Sequence, residues 1–199
     1  NFCGWFGYGK TAGIGFAFAM NLVVNEVTAA IEGSTLTVGG NLSVESEENS
    51  NMVTVAVGGA GAEKVAVGGA IALNIVTNTT SSRIAATVEK DENGDVVSVT
   101  PSVVQVDGAV DVVADDTTIS VAAAGGLSGS SKGAVGAGIA INIMADDTEA
   151  VIDSSTVTAG STLNVDAQTT ETLVTVAVGG SGAGKFALGG AVAVDVVSN

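Results

Sequence analysis

Residues Val53–Val76 read VTVAVGGAGAEKVAVGGAIALNIV. Val53, Val55 and Val57 alternate with Thr54 and Ala56, a period of two that places successive side chains on opposite faces of a strand. Val, Thr and Gly are poor helix formers, so the pattern reads as β-structure. The pairs Gly58-Gly59 and Gly68-Gly69 are read as corners, where the backbone takes positive φ or approaches a neighbour closely. Gly39-Gly40, Gly179-Gly180 and Gly189-Gly190 are read the same way.

The stretch recurs. Val53-TVAVGGAGAEK matches Val174-TVAVGGSGAGK, with Ile119-SVAAAGGLSGSSK between them. After each Lys comes a second block: Val65-AVGGAIALNIV, Gly133-AVGAGIAINIM and Phe186-ALGGAVAVDVV, with the variant Thr11-AGIGFAFAMNLV near the start. A third block joins Ser34-TLTVGGNLSVES, Ser102-VVQVDGAVDVVA and Ser155-TVTAGSTLNVDA. Lys10, Lys64, Lys132 and Lys185 mark the period, at spacings of 54 (64 − 10), 68 (132 − 64) and 53 (185 − 132) residues.

Tandem self-similarity of this kind belongs to fold classes in which each unit stacks on the next. The reading is an all-β chain, a parallel β-solenoid of tandem repeats of about 53 residues with one hairpin-like insertion. Residues 1–199 form one continuous segment: 1–10 an aromatic cap or variant coil, 11–63 repeat 1, 64–131 repeat 2, 132–184 repeat 3, and 185–199 a partial repeat 4. The long second repeat carries its surplus near 89–103, where Asn93-Gly94 is the two-residue type I′ hairpin signal; a whole extra coil is the rival reading. At ~18 residues per coil, each repeat is three coils and the chain about eleven, a rod roughly 50 Å long; two larger coils per repeat fit the period equally. Val55, Val57, Val65, Val67, Leu163, Val165, Val176 and Val178 are expected to point inward, so that Val176→Asp would bury an unpaired charge.

Composition narrows the function. The net charge of −15, with six Lys and Arg, opposes binding to nucleic acid or anionic lipid. The apolar runs are shorter than the roughly 18 residues that cross a bilayer, so no transmembrane segment is read. One Cys and no His leave no disulfide framework, no Cys/His zinc site and no Ser-His-Asp or Cys-His catalysis.

The blocks Val55-AVGGAGAEKVAVGGAIALN, Thr148-EAVIDSSTVTAGSTLNVDA and Val176-AVGGSGAGKFALGGAVAV resemble the repeats of giant bacterial filamentous adhesins, the filamentous-haemagglutinin-like and leukotoxin-type repetitive surface proteins. The resemblance runs from about Thr11 onward. It implies a right-handed solenoid stalk, secreted to the bacterial cell surface and continuing in a longer polypeptide, with no catalytic residues to carry over. Its partners are then other copies of itself, head to tail, or the rest of that longer chain; an adhesin would instead contact a host-surface glycan or protein through the 89–100 protrusion. Six of the seven aromatics lie within the first 18 residues, where rings covering one end of the array are expected, a ligand-stacking platform being the rival reading.

Several motifs point elsewhere and are weaker. Gly4-WFGY-Gly9-Lys10-Thr11 spells a phosphate loop, yet the residues after it alternate with period two where a helix N-terminus is required. Gly58-GAGAEKVA approaches a calcium β-roll repeat, with Glu63 and Gly184 standing where the ligand Asp belongs. Asp91, Asn93 and Asp95, with the pairs Asp115-Asp116 and Asp146-Asp147, are the oxygen-rich candidates for a peripheral calcium ion, read first as solvated turns. A carbohydrate-active β-helix enzyme would need two carboxylates in a cleft lined by sugar-stacking rings, and beyond residue 18 only Phe186 is aromatic. Thr35-Leu-Thr37 and Thr156-Val-Thr158 evoke the threonine arrays of ice-binding solenoids, but Val103-Val-Gln105 interrupts them. No catalytic or cofactor-binding residue is assigned.

Overall fold

The computed structural model describes residues 1–198. The chain is all-β, built on parallel sheets of long strands. β1 (Phe2–Gly9), β4 (Leu42–Ala62), β9 (Val110–Ser130) and β12 (Leu163–Ala183) form the first long sheet, in the order β1-β4-β9-β12. β2 (Ala12–Glu32), β5 (Val65–Ala85), β10 (Gly133–Asp153) and β13 (Phe186–Ser198) form the second, in the order β13-β10-β5-β2. A short parallel sheet of β3 (Thr35–Val38), β8 (Val103–Val106) and β11 (Thr156–Ala159) sits at one end, ordered β11-β8-β3. The full-length strands are 21 residues, about 70 Å at ~3.3 Å per residue.

Register corrects the coil size. Phe2 lies opposite Val55 and Gly133 opposite Val65 and Phe186, so each passage of the chain adds one strand to each sheet. Inward side chains bonded across neighbouring strands are 53 and 68 residues apart in sequence. Coils of ~18 residues do not form, and the chain is four strands deep, roughly 19 Å, in place of an eleven-coil rod. The physical reason lies in the glycines. Of the five Gly pairs only Gly39-Gly40 stands at a corner; the other four lie inside strands. Among the described residues positive φ occurs only at Gly33, Gly94 and Ser154. The long sheets turn into one another at the Lys10, Lys64, Lys132 and Lys185 positions.

The inner face is the second correction. Ala56, Ala66, Ala70, Ala72, Ala122, Ala124 and Ala140 are buried, while Val65, Val67, Leu163, Val165, Val176 and Val178 are exposed and Val55 and Val57 only partly covered. Six of the eight residues expected inside, Val55, Val57, Val65, Val67, Val176 and Val178, therefore point outward. Leu163 and Val165 lie on the inward face as expected, opposite buried Val110 and Val112, and are exposed because β12 is an edge strand. Both alternating sets are largely apolar, so alternation defined two faces without ordering them. Close approach of the sheets decides it: a Cβ at Gly58 would strike the carbonyl oxygen of Gly69 on the facing sheet, and one at Gly15 that of Gly59. Only Ala and Gly fit between backbones this near.

The interior changes along the strands. The half near the lysine corners holds the alanine cluster. Met52, Val76 and Met144 follow, and beside the short sheet the core is Val44, Ile84, Val104, Val106, Val110 and Val112. An inward polar row, buried at Asn74 and Asn142, crosses the alanine–methionine boundary. Asn21, Asn74, Asn142 and Asp195 are successive Cα partners, and Asn74 Nδ2 donates to Asn142 Oδ1 at 3.0 Å and to the Val121 carbonyl at 2.9 Å. Asn142 Nδ2 donates in turn to Thr175 Oγ1 at 2.7 Å.

The insertion folds as an antiparallel pair, β6 (Thr87–Lys90) with β7 (Val96–Thr100), where a hairpin was expected. Its turn is different from a type I′ turn, which needs positive φ at two central residues. Only Gly94 has it, at 87°; the Gly94 N–H donates to the Asp91 carbonyl and the Asp91 N–H to the Asp95 carbonyl.

Candidate functional site

Three features of the surface stand out: apolar outer faces, a trough, and open sheet edges. On the second long sheet the outward rows in the half toward the lysine corners include Phe18–Ile71–Ile139–Val192, Met20–Leu73–Ile141–Val194 and Leu22–Ile75–Ile143–Val196, each aligned across all four strands. Phe18, Leu22, Val192 and Val196 in these rows are about half exposed or more. The other half of each strand carries polar groups outward, such as Glu45 and Glu47 on β4 and Asp147 and Glu149 on β10. The block is thus apolar outside at its lysine end and acidic outside at the other.

On the first long sheet the outward glycines leave a trough of about 630 Å³, bounded by Phe6, Tyr8, Leu127, Gly59, Gly61 and Gly180. Bulky residues lean over glycines of the next strand: Phe6 over Gly59, Tyr8 over Gly61, Leu127 over Gly180. Cross-strand contact of this kind covers backbone that glycine leaves bare. The N-terminal rings Phe2, Trp5, Phe6 and Tyr8 remain largely exposed. Among the described residues no carboxylate lines the trough.

All three sheets end in unpaired strands among the described residues: β1, β2 and β3 on one side, β12, β13 and β11 on the other. Each edge presents backbone N–H and C=O groups in parallel register.

The oxygen-rich candidates separate. Asp91, Asn93 and Asp95 lie in the exposed hairpin turn, where Asp91 Oδ1 accepts from the N–H groups of Asn93 and Asp95, both at 2.9 Å. The Asp95 N–H, then the Asn93 N–H, hold the Asp91 carboxyl below the usual range. Asp115 and Asp147 stand on opposite outer faces. Their neighbours Asp116 and Asp146 point inward from β9 and β10 and are buried, and the charge of Asp116 helps to raise the Asp146 carboxyl. Period-two alternation alone sends one member of each Asp pair inside, a signal present in the sequence. The asparagine row was equally legible, as the Asn or Asp shared by FAMNLV, IALNIV, IAINIM and VAVDVV. Among the described residues no three Asp, Glu, Cys or His side chains are grouped to hold a metal ion. Nor is any helix long and apolar enough to cross a membrane.

No protein-family model, curated protein or solved structure matches the chain.

Proposed function

We propose that the chain is a segment of a parallel β-solenoid, a structural stalk or filament shaft of a secreted bacterial surface protein. It continues into a longer chain or stacks end to end on other copies. The observation that carries this reading is the pair of open ends. β1, β2 and β3 on one side and β12, β13 and β11 on the other expose parallel edges, so another strand layer can add at either end without changing the register. A head-to-tail contact of this kind is heterologous and does not close, so repetition yields a fibre. The acidic outer half, within a net charge of −15, limits side-by-side clumping there.

Electron microscopy and sedimentation of the 199-residue chain test the end-to-end version. The expected result is rods that lengthen with concentration. Monomers at every concentration would reject self-stacking.

A second reading is an adhesin module that contacts a host glycan or protein through the hairpin. It draws on the exposed valines Val88, Val96, Val97 and Val99, displayed on an element outside the three parallel sheets. Deleting residues 89–100 should then abolish attachment to host cells while leaving rod formation intact.

A further inference from the structure

A short way along the strands from the asparagine row, the interior holds a second polar group that is not satisfied. Asn78 on β5 and Asp146 on β10 are Cα partners, both inward and at most 3% exposed. Asp116 and Thr118 face them from β9, also buried. Asn78 Nδ2 donates to Thr118 Oγ1 at 2.8 Å, and Thr118 Oγ1 donates to Asp116 Oδ1 at 2.9 Å. Thr80 Oγ1 donates to Asp116 Oδ2 at 3.2 Å. Both threonine hydroxyls are thereby committed to Asp116. Three buried oxygens are left with no hydrogen bond: Asn78 Oδ1, Asp146 Oδ1 and Asp146 Oδ2. In the row above, by contrast, Asn142 Oδ1 accepts from both Asn74 and Ser120.

Buried acceptors without donors call for a positive partner. One proton on Asp146 can bridge a single carboxylate oxygen to Asn78 Oδ1, leaving the other oxygen bare. A cation can contact all three and also offsets the charge of Asp116. Carboxylate and amide oxygens are hard ligands, and two facing carboxylates match a divalent charge. We propose that Asn78 and Asp146, backed by Asp116, form an internal site for a hard divalent cation of the calcium type. This site is distinct from the hairpin turn of Asp91, whose Oδ1 is already engaged by backbone.

The electrostatics agree. Burial, then the charges of Asp116 on β9 and Glu171 on β12, push the Asp146 carboxyl up to about 6. The Asn78 N–H and the Thr118 hydroxyl lie near enough to offset part of that rise. Glu48, beside Asp116 on β4, is held by Asn25 and Ser50. Proton and cation therefore compete for the same oxygens.

The test is thermal unfolding of the full 199-residue chain, stripped with chelator and then given calcium, magnesium or sodium chloride at matched ionic strength. At about pH 7.5 calcium should raise Tm by several degrees over sodium, and at about pH 4.5 the rise should vanish as protons fill the site. Asp146→Asn should fold, because an amide placed opposite Asn78 would repeat the Asn74–Asn142 ladder, and should lose the calcium response. Asp91→Asn should keep it. Calorimetry in buffers of different ionisation enthalpy should show proton release on binding near pH 6, about the value to which Asp146 is raised. The proposal is overturned if calcium and sodium act alike on the wild type. It is equally overturned if the calcium response survives in Asp146→Asn, or is lost in Asp91→Asn while Asp146→Asn retains it.

Discussion

Phe6 on β1 covers Gly59 on β4: the two are Cα partners, and a Cβ added at Gly59 would run into the Phe6 ring. The ring lies on the outer face, and the same holds for Tyr8 over Gly61 and Leu127 over Gly180. In the half toward the lysine corners large apolar groups therefore lie outside, with alanine and glycine between the sheets. That inversion sets which substitutions should be costly.

Val176 is 48% exposed, so Val176→Asp should change stability by no more than about 1 kcal/mol. Ala124, 3% exposed within the alanine cluster, is the opposite case: Ala124→Asp should cost at least about 3 kcal/mol, or abolish folding. Urea denaturation of the two variants checks the assignment. A larger loss for Val176→Asp would restore the valine-inside arrangement.

Gly58 faces the Gly69 carbonyl so closely that Gly58→Ala should force the sheets apart, costing about 1–3 kcal/mol. Gly129, with open space around its Cα, should accept alanine without loss. Equal melting temperatures for the two alanine variants would remove the close approach.

Asn74 supports the buried row through bonds to Ser120, Val121 and Asn142. Asn74→Ala should strand these partners and cost about 2–4 kcal/mol by denaturant melt. A loss below about 1 kcal/mol would show the row to be incidental.

Asp146 gives stability a pH dependence of definite sign. Its carboxyl is raised from 3.8 to about 6 on folding, so its contribution is fully present below pH 3.8 and is lost as pH rises through 6. In chelator, the wild type should lose on the order of 2–3 kcal/mol relative to Asp146→Asn between about pH 4 and pH 7. Parallel pH profiles for the two proteins would refute it.

Ile139 and Ile141 lie in the outward apolar rows. Replacing both with Lys should leave the fold intact and lower light scattering at high concentration, because it interrupts a large exposed apolar surface. Rods formed through the strand edges should persist.

Much of the architecture was legible in residues 53–76 and their copies. Period-two alternation specified strands, self-similarity specified stacking in parallel, and the surplus around Asn93-Gly94 located the hairpin. The lysines marked equivalent points of successive units, and they stand where one long sheet turns into the next. The inward members of the Asp pairs and the aligned asparagines were also written there, since alternation assigns each a face once one residue is placed. What alternation by itself could not assign was which face is the interior. Val and Ala are both apolar, and their transfer from water favours burying the larger, so Val55 and Val176 read as core. Only the tertiary structure brings Gly58 against Gly69 and Gly15 against Gly59, at a separation that leaves no room for a valine between the backbones. The same contacts explain the strand length. A glycine pair has one spelling whether it bends a chain or flattens it against a neighbour, and here the facing sheet holds it extended.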